Sequence, residues 1–537
     1  MKLGPLRFAA ILGVVLVAGA IAWRPVRPAR NAATTRVQDA PVPGSIGQPV
    51  RRVDEIFEAA WNQAAVEPRV AADPMTVVRR LSLGLCGTIP SLEEIRSLEQ
   101  LPAAERVDAF LERLLADRRF ADYFAERFAR AFVGTEEGPF LIYRRRRFVY
   151  WLSDEIAGNR PYDQLVREII TAQGLWTDKP ATNFITAQVI PDQGPDPIRL
   201  AARTTRAFLG IRIDCAQCHD HPFAEWKQRD FEGLAAFYAQ AKQSFRGIDD
   251  KDGEFKVEDV KTKEQREVAP RVPFAATDAD AHAAARRREQ LAEWVTSSSN
   301  PYFAQAIVNR VWTLLFGQGI CEPVDDLEAE PRVDGVLDAL AEDFRTHDYD
   351  LRRLIRVIAA TRAFTMAATG ASEVTEQQEK LFAAYPLTRL RSEQIAGSLV
   401  QVSSLRTVDA ESHIIIRTQR LISSADFIKH YGDAGEEELN AHIGTIPQRL
   451  VMMNGKMPRE RIEAGPFNAA GRINLLAPSD PSRVRVAYLV CLTRPPTADE
   501  ETHFVEQLKG LKGDDRTNAL EDMLWSLINS TEFSWNH

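Results

Sequence analysis

The sequence predicts a mainly α protein: two helical, bundle-like domains joined by a charged insertion, behind an N-terminal export signal or membrane anchor. Three observations lead there. Apolar residues recur at i, i+3 and i+4 along most of the chain from Val53 onward. Helix-start signals precede those stripes, and glycines follow several of them. Strand signals are sparse, and Ile414-Ile415-Ile416 is the clearest. The chain has 537 residues, 45% hydrophobic and 26% charged, enough for two or three domains with sizeable cores. Its net charge of −8 offers no electrostatic basis for binding nucleic acid, so no nucleic-acid partner is expected.

Residues 1–30 read as a signal peptide or signal anchor. Lys2 and Arg7 precede an apolar run from Phe8 to Trp23, with small residues Ala18, Ala20 and Ala22 near its end. The run is shorter than the ~20 residues a spanning helix needs. Arg24, Arg27 and Arg30 follow and oppose translocation and cleavage, so both a cleaved signal and a retained membrane anchor stay open. Either way the expected location is exported: periplasmic, or anchored in the membrane and facing the periplasm. Residues 31–52 form a flexible spacer rich in Pro, Gly, Thr and Ala.

The first helical domain is placed at 53–242. It opens with the stripe Ile56, Phe57, Ala60, Trp61 and Ala64. Asp73-Pro74 starts a second helix, which ends at Cys86-Gly87. Ser91 with Glu94 is a capping box. Leu111, Leu114 and Leu115 lead to the aromatic stripe Phe120, Tyr123, Phe124 and Phe128, a core pattern. Arg144 to Arg147 lie in a helix ending near Gly158; a solvated face with an ion pair to Asp154 or Glu155 is favoured over an anion site. Asn159 to Asp163 is a turn before a helix over Gln164–Thr171. Asp196-Pro197 opens a helix stopped by Gly210, and Asp230 is expected to cap the next.

Between those two helices stands Cys215-Ala216-Gln217-Cys218-His219-Asp220-His221. Its core is C-x-x-C-H. Two thiols at this spacing reach the two vinyl groups of one haem and form thioethers, and the next residue, His219, then lies under the iron as proximal ligand. Covalent haem c held by Cys215, Cys218 and His219, with His219 as the metal ligand, is the leading reading. A Cys215–Cys218 disulfide, or a zinc site using these cysteines and a histidine, are the alternatives. Cys86, Cys321 and Cys491 are solitary in sequence and supply no second C-x-x-C. Phe223, Trp226, Phe231, Phe237 and Tyr238 follow the motif, equally suited to walling a flat cofactor or to forming core. His430, His442, Met452 and Met453 are candidate distal ligands; His221, two residues from His219, cannot easily reach the opposite haem face.

Residues 243–297 form the charged linker, in which Glu254 to Val257 alternates as a hairpin strand does. The second helical domain is placed at 298–537. Its helices are marked by Ala304 to Leu315, ended by Gly317; by Val336 to Phe344; by Leu351 to Ile358; and by runs over 392–399, 482–492 and 518–529.

Several stretches carry a family resemblance. Arg80-Leu81-Ser82-Leu83-Gly84-Leu85-Cys86-Gly87-Thr88-Ile89-Pro90, Asn159 to Asp163, Phe208-Leu209-Gly210 and Cys215 to Phe223 resemble segments of the planctomycete cytochrome-associated family, a bacterial family of unknown function. Asn300 to Ala304, Val308-Asn309-Arg310-Val311-Trp312, Phe316 to Gly319, Pro447 to Leu450 and Arg494 to Thr497 are similar to the partner domain usually fused to it. The resemblance implies an exported protein with a cytochrome-c-like attachment motif, and little about reaction or substrate. Many members carry a further N-terminal haem-binding domain; the present sequence holds a single C-x-x-C-H.

The function expected is electron transfer, or the redox part of a catabolic complex, with an unassigned redox partner. The alternative is an extracytoplasmic enzyme or scaffold linked to breakdown of carbohydrate or another polymer, with Cys215 and Cys218 as a staple. No G-x-S-x-G, H-E-x-x-H or P-loop is present, and no carboxylate pair stands out.

Overall fold

Helix α1 (Gly47–Gln63) buries Val53, Phe57 and Trp61, one residue per turn along a single face. The computed structural model describes residues 45–136, 143–220, 226–258, 263–274, 286–370, 372–409, 427–432, 445–465 and 468–537. The N-terminal signal, most of the spacer and Ile414-Ile415-Ile416 lie outside the described residues. The protein is mainly helical.

Helix α2 (Pro74–Cys86) starts where the Asp73 carboxylate accepts the Met75 N–H at 2.8 Å, and stops at Gly87, whose φ of 65° suits a residue without Cβ. From Val77 to Cys86 every residue is buried. Helix α3 (Leu92–Glu99) carries the expected capping box, with Ser91 Oγ and the Glu94 carboxylate each accepting the other residue's N–H. Then come α4 (Arg106–Ala116) and α5 (Arg118–Val133). Phe120, Phe124, Phe128 and Phe132 line one face of α5, with successive ring centroids 4.6, 5.7 and 5.8 Å apart.

Against α5 packs α6 (Arg145–Ala157), which carries most of the arginine run. The expected pairing with Asp154 or Glu155 is replaced. Arg145 points to Glu126 at 2.9 Å, while Asp154 pairs with Arg118 and Glu155 with Arg160. The cause is the close α5–α6 contact, which offers Arg145 a carboxylate across the helix interface. Helix α7 (Tyr162–Thr171) begins two residues before the expected Gln164.

Helix α8 (Pro197–Thr204) is capped by Asp196 and runs into a π-helical turn, Thr205–Leu209, closed by Gly210 at φ 61°. Helix α9 (Gln228–Ala236) starts three residues earlier than expected. Asp230 therefore lies inside it and accepts the Lys227 N–H at 3.0 Å, rather than standing before it as the cap. Small antiparallel pairs accompany the helices: β1 (Val189–Ile190) with β2 (Gly194–Pro195), β3 (Ala241–Ser244) with β4 (Gly247–Asp250), and β5 (Phe255–Glu258) with β6 (Gln265–Val268). The last contains the expected Glu254–Val257 strand almost whole.

The second half follows as α10 (Arg287–Val295), α11 (Pro301–Phe316), α12 (Val336–Thr346), α13 (Leu351–Ala360) and α14 (Ser392–Val402). Next are α15 (Ile446–Asn454), α16 (Lys456–Ile462), α17 (Ala469–Leu476), α18 (Asp480–Leu492), α19 (Ala498–Leu508) and α20 (Gly513–Ile528). The two-residue strands β7 (Thr388–Arg389) and β8 (Trp535–Asn536) pair near the C-terminal end.

The two halves of the sequence share one core, and Gly47–His537 forms a single compact unit. Phe57 of α1 stacks on Trp312 of α11 at 5.9 Å, and the Trp61 indole N–H donates to the Leu381 carbonyl at 2.9 Å. Gly84 of α2 lets Leu315 of α11 approach: a Cβ at that position would lie 3.0 Å from Leu315 Cδ2. Arg80 reaches the Phe364 and Met366 carbonyls at 2.8 and 2.7 Å. Arg79 donates to the Cys491 and Phe533 carbonyls at 3.2 and 3.3 Å. Among the described residues, no helix is long and apolar enough to cross a membrane.

Candidate functional site

The C-x-x-C-H stretch follows Gly210 because that glycine turns the chain out of the π-helical turn with a positive φ. Residues Asp214–Gln217 form one 3-10 turn, with Ala216 buried beneath it and its N–H donating to the Ile213 carbonyl at 2.9 Å. Cys215 and Cys218 lie on the outside of this turn as exposed free thiols. Among the described residues, no group of three or more His, Cys, Asp or Glu side chains is placed to hold a metal ion.

His219 is exposed, and its Nδ1 lies 2.7 Å from the Asp220 backbone carbonyl oxygen. A carbonyl only accepts, so Nδ1 donates this bond, which in the neutral imidazole leaves the lone pair on Nε2. That tautomer is the one a metal-ligating imidazole needs when it binds through Nε2. The Asp220 carboxylate, expected as a partner for an imidazole, instead accepts the Gln228 N–H at the start of α9, at 3.0 Å. The Gln228 amide also donates to the Gln217 carbonyl at 3.4 Å. His221, Pro222 and Phe223 lie outside the described residues.

The donor set fits a covalently attached haem: two exposed free thiols at the motif's spacing and an imidazole whose Nε2 has no hydrogen-bond partner among the described residues. Cys215 and Cys218 would hold the porphyrin edge and His219 the iron. The group would supply one-electron chemistry to the site.

The aromatic residues after the motif belong to the core. Trp226, Phe231, Phe237 and Tyr238 are all buried. The Tyr238 hydroxyl is hydrogen-bonded to Thr204 at 2.8 Å, and burial pushes its pKa well above the usual phenol value. Trp226 meets Phe274 and Tyr302 at ring distances of 6.4 and 6.3 Å. Of the distal-ligand candidates, Met452 is buried in a hydrophobic cluster drawn from residues 83–89 and 390–533, and Met453 is exposed on α15. His442 lies outside the described residues. No contact brings Met452 or Met453 to His219 among the described residues.

The motif has neighbours that its own half of the sequence does not supply. Arg206, on the π-helical turn, pairs with Asp214 at 2.8 Å and with Asp325 at 3.5 Å. Arg212 donates to the same Asp325 carboxylate at 2.5 and 3.0 Å, and this bond raises the Arg212 pKa. The Leu327 N–H donates to the Gly210 carbonyl at 2.8 Å, and the Trp226 indole N–H to Glu328 at 2.5 Å. Sequence reasoning missed Asp325, Leu327 and Glu328. The available signal was Asn309-Arg310, two polar residues inside the apolar stripe of α11. Both are buried: Asn309 bonds the backbone at Ile320, Cys321 and Val324, building the loop that leads to Asp325. Arg310 donates to the Ala207 carbonyl at 2.9 Å, in the π-helical turn before the motif.

The fold and site define a helical protein in which residues 325–328, from the second half of the sequence, lie against the C-x-x-C-H turn of the first half. Residues 52–243 match the family model described as PSCyt2, protein of unknown function (DUF1549), and residues 287–426 match PSD1, protein of unknown function (DUF1553). The chain belongs to this family pair and carries both domains. No curated protein and no solved structure matches it.

Proposed function

We propose that this chain is an exported c-type haem protein, serving in electron transfer or as the redox component of a catabolic complex. Haem c would be bound through Cys215 and Cys218, with His219 as proximal ligand. The observation that carries the reading is the His219 contact: Nδ1 lies 2.7 Å from the Asp220 carbonyl oxygen, beside two exposed free thiols. The basic–apolar–small pattern from Lys2 to Trp23 supports it, because covalent haem attachment of this kind takes place outside the cytoplasm. Export to the periplasm, with or without a retained membrane anchor, belongs to the same proposal. So does the division into domains 53–242 and 298–537 joined by 243–297.

The test is absorbance of the full chain matured in a periplasm with a haem-attachment system. A Soret band that survives acid–acetone extraction is expected, lost in the Cys215→Ser, Cys218→Ser double variant. A colourless wild-type protein would overturn the assignment, and stoichiometric zinc in it would establish a metal staple instead. Deleting residues 1–30 should leave the protein in the cytoplasm; export of the truncated chain would remove the localisation half of the proposal.

A further inference from the structure

Asp214, immediately before Cys215, and Trp226, eight residues after Cys218, are each tied to side chains from one short stretch of the second domain. At the leading end, Asp325 Oδ2 lies 3.5 Å from Arg206 Nε, and Arg206 Nη2 lies 2.8 Å from Asp214, the residue before Cys215. The other Asp325 oxygen takes Arg212 at 2.5 Å. At the trailing end, three residues further along the same loop, Glu328 accepts the Trp226 indole N–H at 2.5 Å. Between the two, the Leu327 N–H donates to the Gly210 carbonyl at 2.8 Å. The loop itself is rigidly founded. Asn309, fully buried, answers two N–H groups and two carbonyls of residues 320–324.

We infer that Asp325 and Glu328 form a two-point latch that positions the C-x-x-C-H turn from the second domain. The cofactor half of this inference rests on the haem reading above; the mechanical half does not. Positioning matters chemically because ligand orientation tunes a bound metal, and a ligand loop free to shift gives a mixture of ligation states. Asp325 is suited to the task because it is almost buried, with a side chain 10% exposed, whereas the arginines it holds are 37% and 41% exposed. A buried carboxylate anchored on a stiff loop fixes two flexible cations, and one of them carries the constraint to Asp214. Glu328 is exposed but holds a Trp226 that is 8% exposed, so the restraint lands on a ring already fixed in the core.

This arrangement gives the pairing of the two domains a local purpose. The first domain alone contains both cysteines and the histidine, yet nothing in its own sequence supplies the bonds made by Asp325, Leu327 and Glu328. It also assigns a role to Arg310, whose bond to the Ala207 carbonyl ties α11 to the turn that carries Arg206.

The experiment compares wild-type full chain with Asp325→Asn, Glu328→Ala and Asp325→Glu. The first readout is hydrogen exchange of the Ala216 amide, which is buried and bonded to the Ile213 carbonyl. Loss of the latch should speed its exchange on the order of tenfold in Asp325→Asn, with exchange in α11 unchanged. Glu328→Ala, which removes the acceptor of the Trp226 indole N–H, should act in the same direction but more weakly, and Asp325→Glu should restore slow exchange. In haem-loaded protein, Asp325→Asn should shift the balance of iron spin states, and Asp325→Glu should bring it back. Ala216 exchange within about twofold of wild type in both Asp325→Asn and Glu328→Ala would overturn the latch. Should Asp325→Asn fail to fold, Glu328→Ala, altered at an exposed position, decides by the same criterion. The two readings fail separately. A wild type without haem removes the haem assignment while the exchange readout still judges the latch. A haem-loaded wild type with unaffected variants removes the latch alone.

Discussion

The pair Arg79-Arg80 and the stretch Cys215 to His219 lie in the same half of the sequence, and Arg80 and Cys215 to His219 both carry the family resemblance, yet the protein treats them in opposite ways. The two arginines are about 1% and 0% exposed. Arg80 donates to the carbonyls of Phe364, Met366 and His537 and stacks on the Tyr385 ring at 3.7 Å. Burial draws its pKa down to about 10, still far above neutrality, so it stays charged in the core. Cys215, Cys218 and His219 are exposed on a single turn and held chiefly through their neighbours. Charged residues deep in a core are expensive unless their donors are answered, so the arginines act as cross-links between sequence-distant segments. Thiols on the surface contribute little to stability and remain available for chemistry. The difference teaches that motif strength in this sequence does not separate architecture from function; burial does.

Breaking the architectural side should have the largest effect. Arg80→Ala strips three buried or half-buried carbonyls of their donor and empties the space over Tyr385, and should cost about 4 kcal/mol in urea unfolding. A loss under about 1 kcal/mol would show that those carbonyls find other partners.

Next comes the ion network that joins α5 to α14. Glu393 accepts Arg127 at 2.6 Å and Arg391 at 3.1 Å, and Arg391 also donates to the Tyr123 hydroxyl at 2.6 Å. Burial raises the Glu393 pKa, but the charges of Arg127 and Arg391 outweigh it and bring it down to about 2. The folded-state pKa is thus below the ordinary value of about 4.3. The resulting stabilisation is complete above about pH 4.5 and is lost as pH falls towards 2. Glu393→Gln should cost about 3 kcal/mol at neutral pH, because it leaves arginines without their carboxylate. It should also flatten the stability curve between pH about 5 and 2. An acid-unfolding profile of the variant parallel to wild type would contradict this.

Gly210 lies on the boundary between the two regimes. Its φ is +61°, and a Cβ there would lie 3.0 Å from Leu327 Cγ and 3.3 Å from Ala306 Cβ. Gly210→Ala should cost about 1–2 kcal/mol in thermal unfolding, through the strained φ and the displaced Leu327. A stability equal to wild type would mean that the 320s loop yields easily, which would also weaken the latch.

The smallest stability change belongs to the site itself. Cys215→Ser with Cys218→Ser, both exposed, should move unfolding of the haem-free protein by no more than about 0.5 kcal/mol while abolishing covalent haem. A large destabilisation of the haem-free protein would make the pair a structural staple and erase the contrast with Arg79-Arg80.

Much of the helical pattern was legible because it is written in local chemistry. Asp73-Pro74, the Ser91–Glu94 box, Asp196-Pro197 and Gly317 act within one turn of their own residues, and each starts or stops a helix where expected. The starts of α7 and α9 were misjudged by two and three residues, since Tyr162 and Gln228 bring no cap of their own. The pairing of the arginine run was misjudged for a different reason. Asp154 and Glu155 are close in sequence, but Arg145 faces Glu126 across the α5–α6 contact. The spacing of Cys215, Cys218 and His219 was legible as chemistry; their exposure and the His219 tautomer were not.

The sequence by itself determined the helical class, the positions of most caps and the C-x-x-C-H spacing of Cys215, Cys218 and His219, because periodicity, capping and motif spacing are short-range properties. Only the tertiary structure decided that the two halves interlock through Phe57, Gly84 and Arg80. It alone set Asp325 and Glu328 beside the C-x-x-C-H turn. Those contacts join residues about a hundred or more positions apart, and no local preference encodes which distant carboxylate or carbonyl will meet a given arginine until the helices have packed.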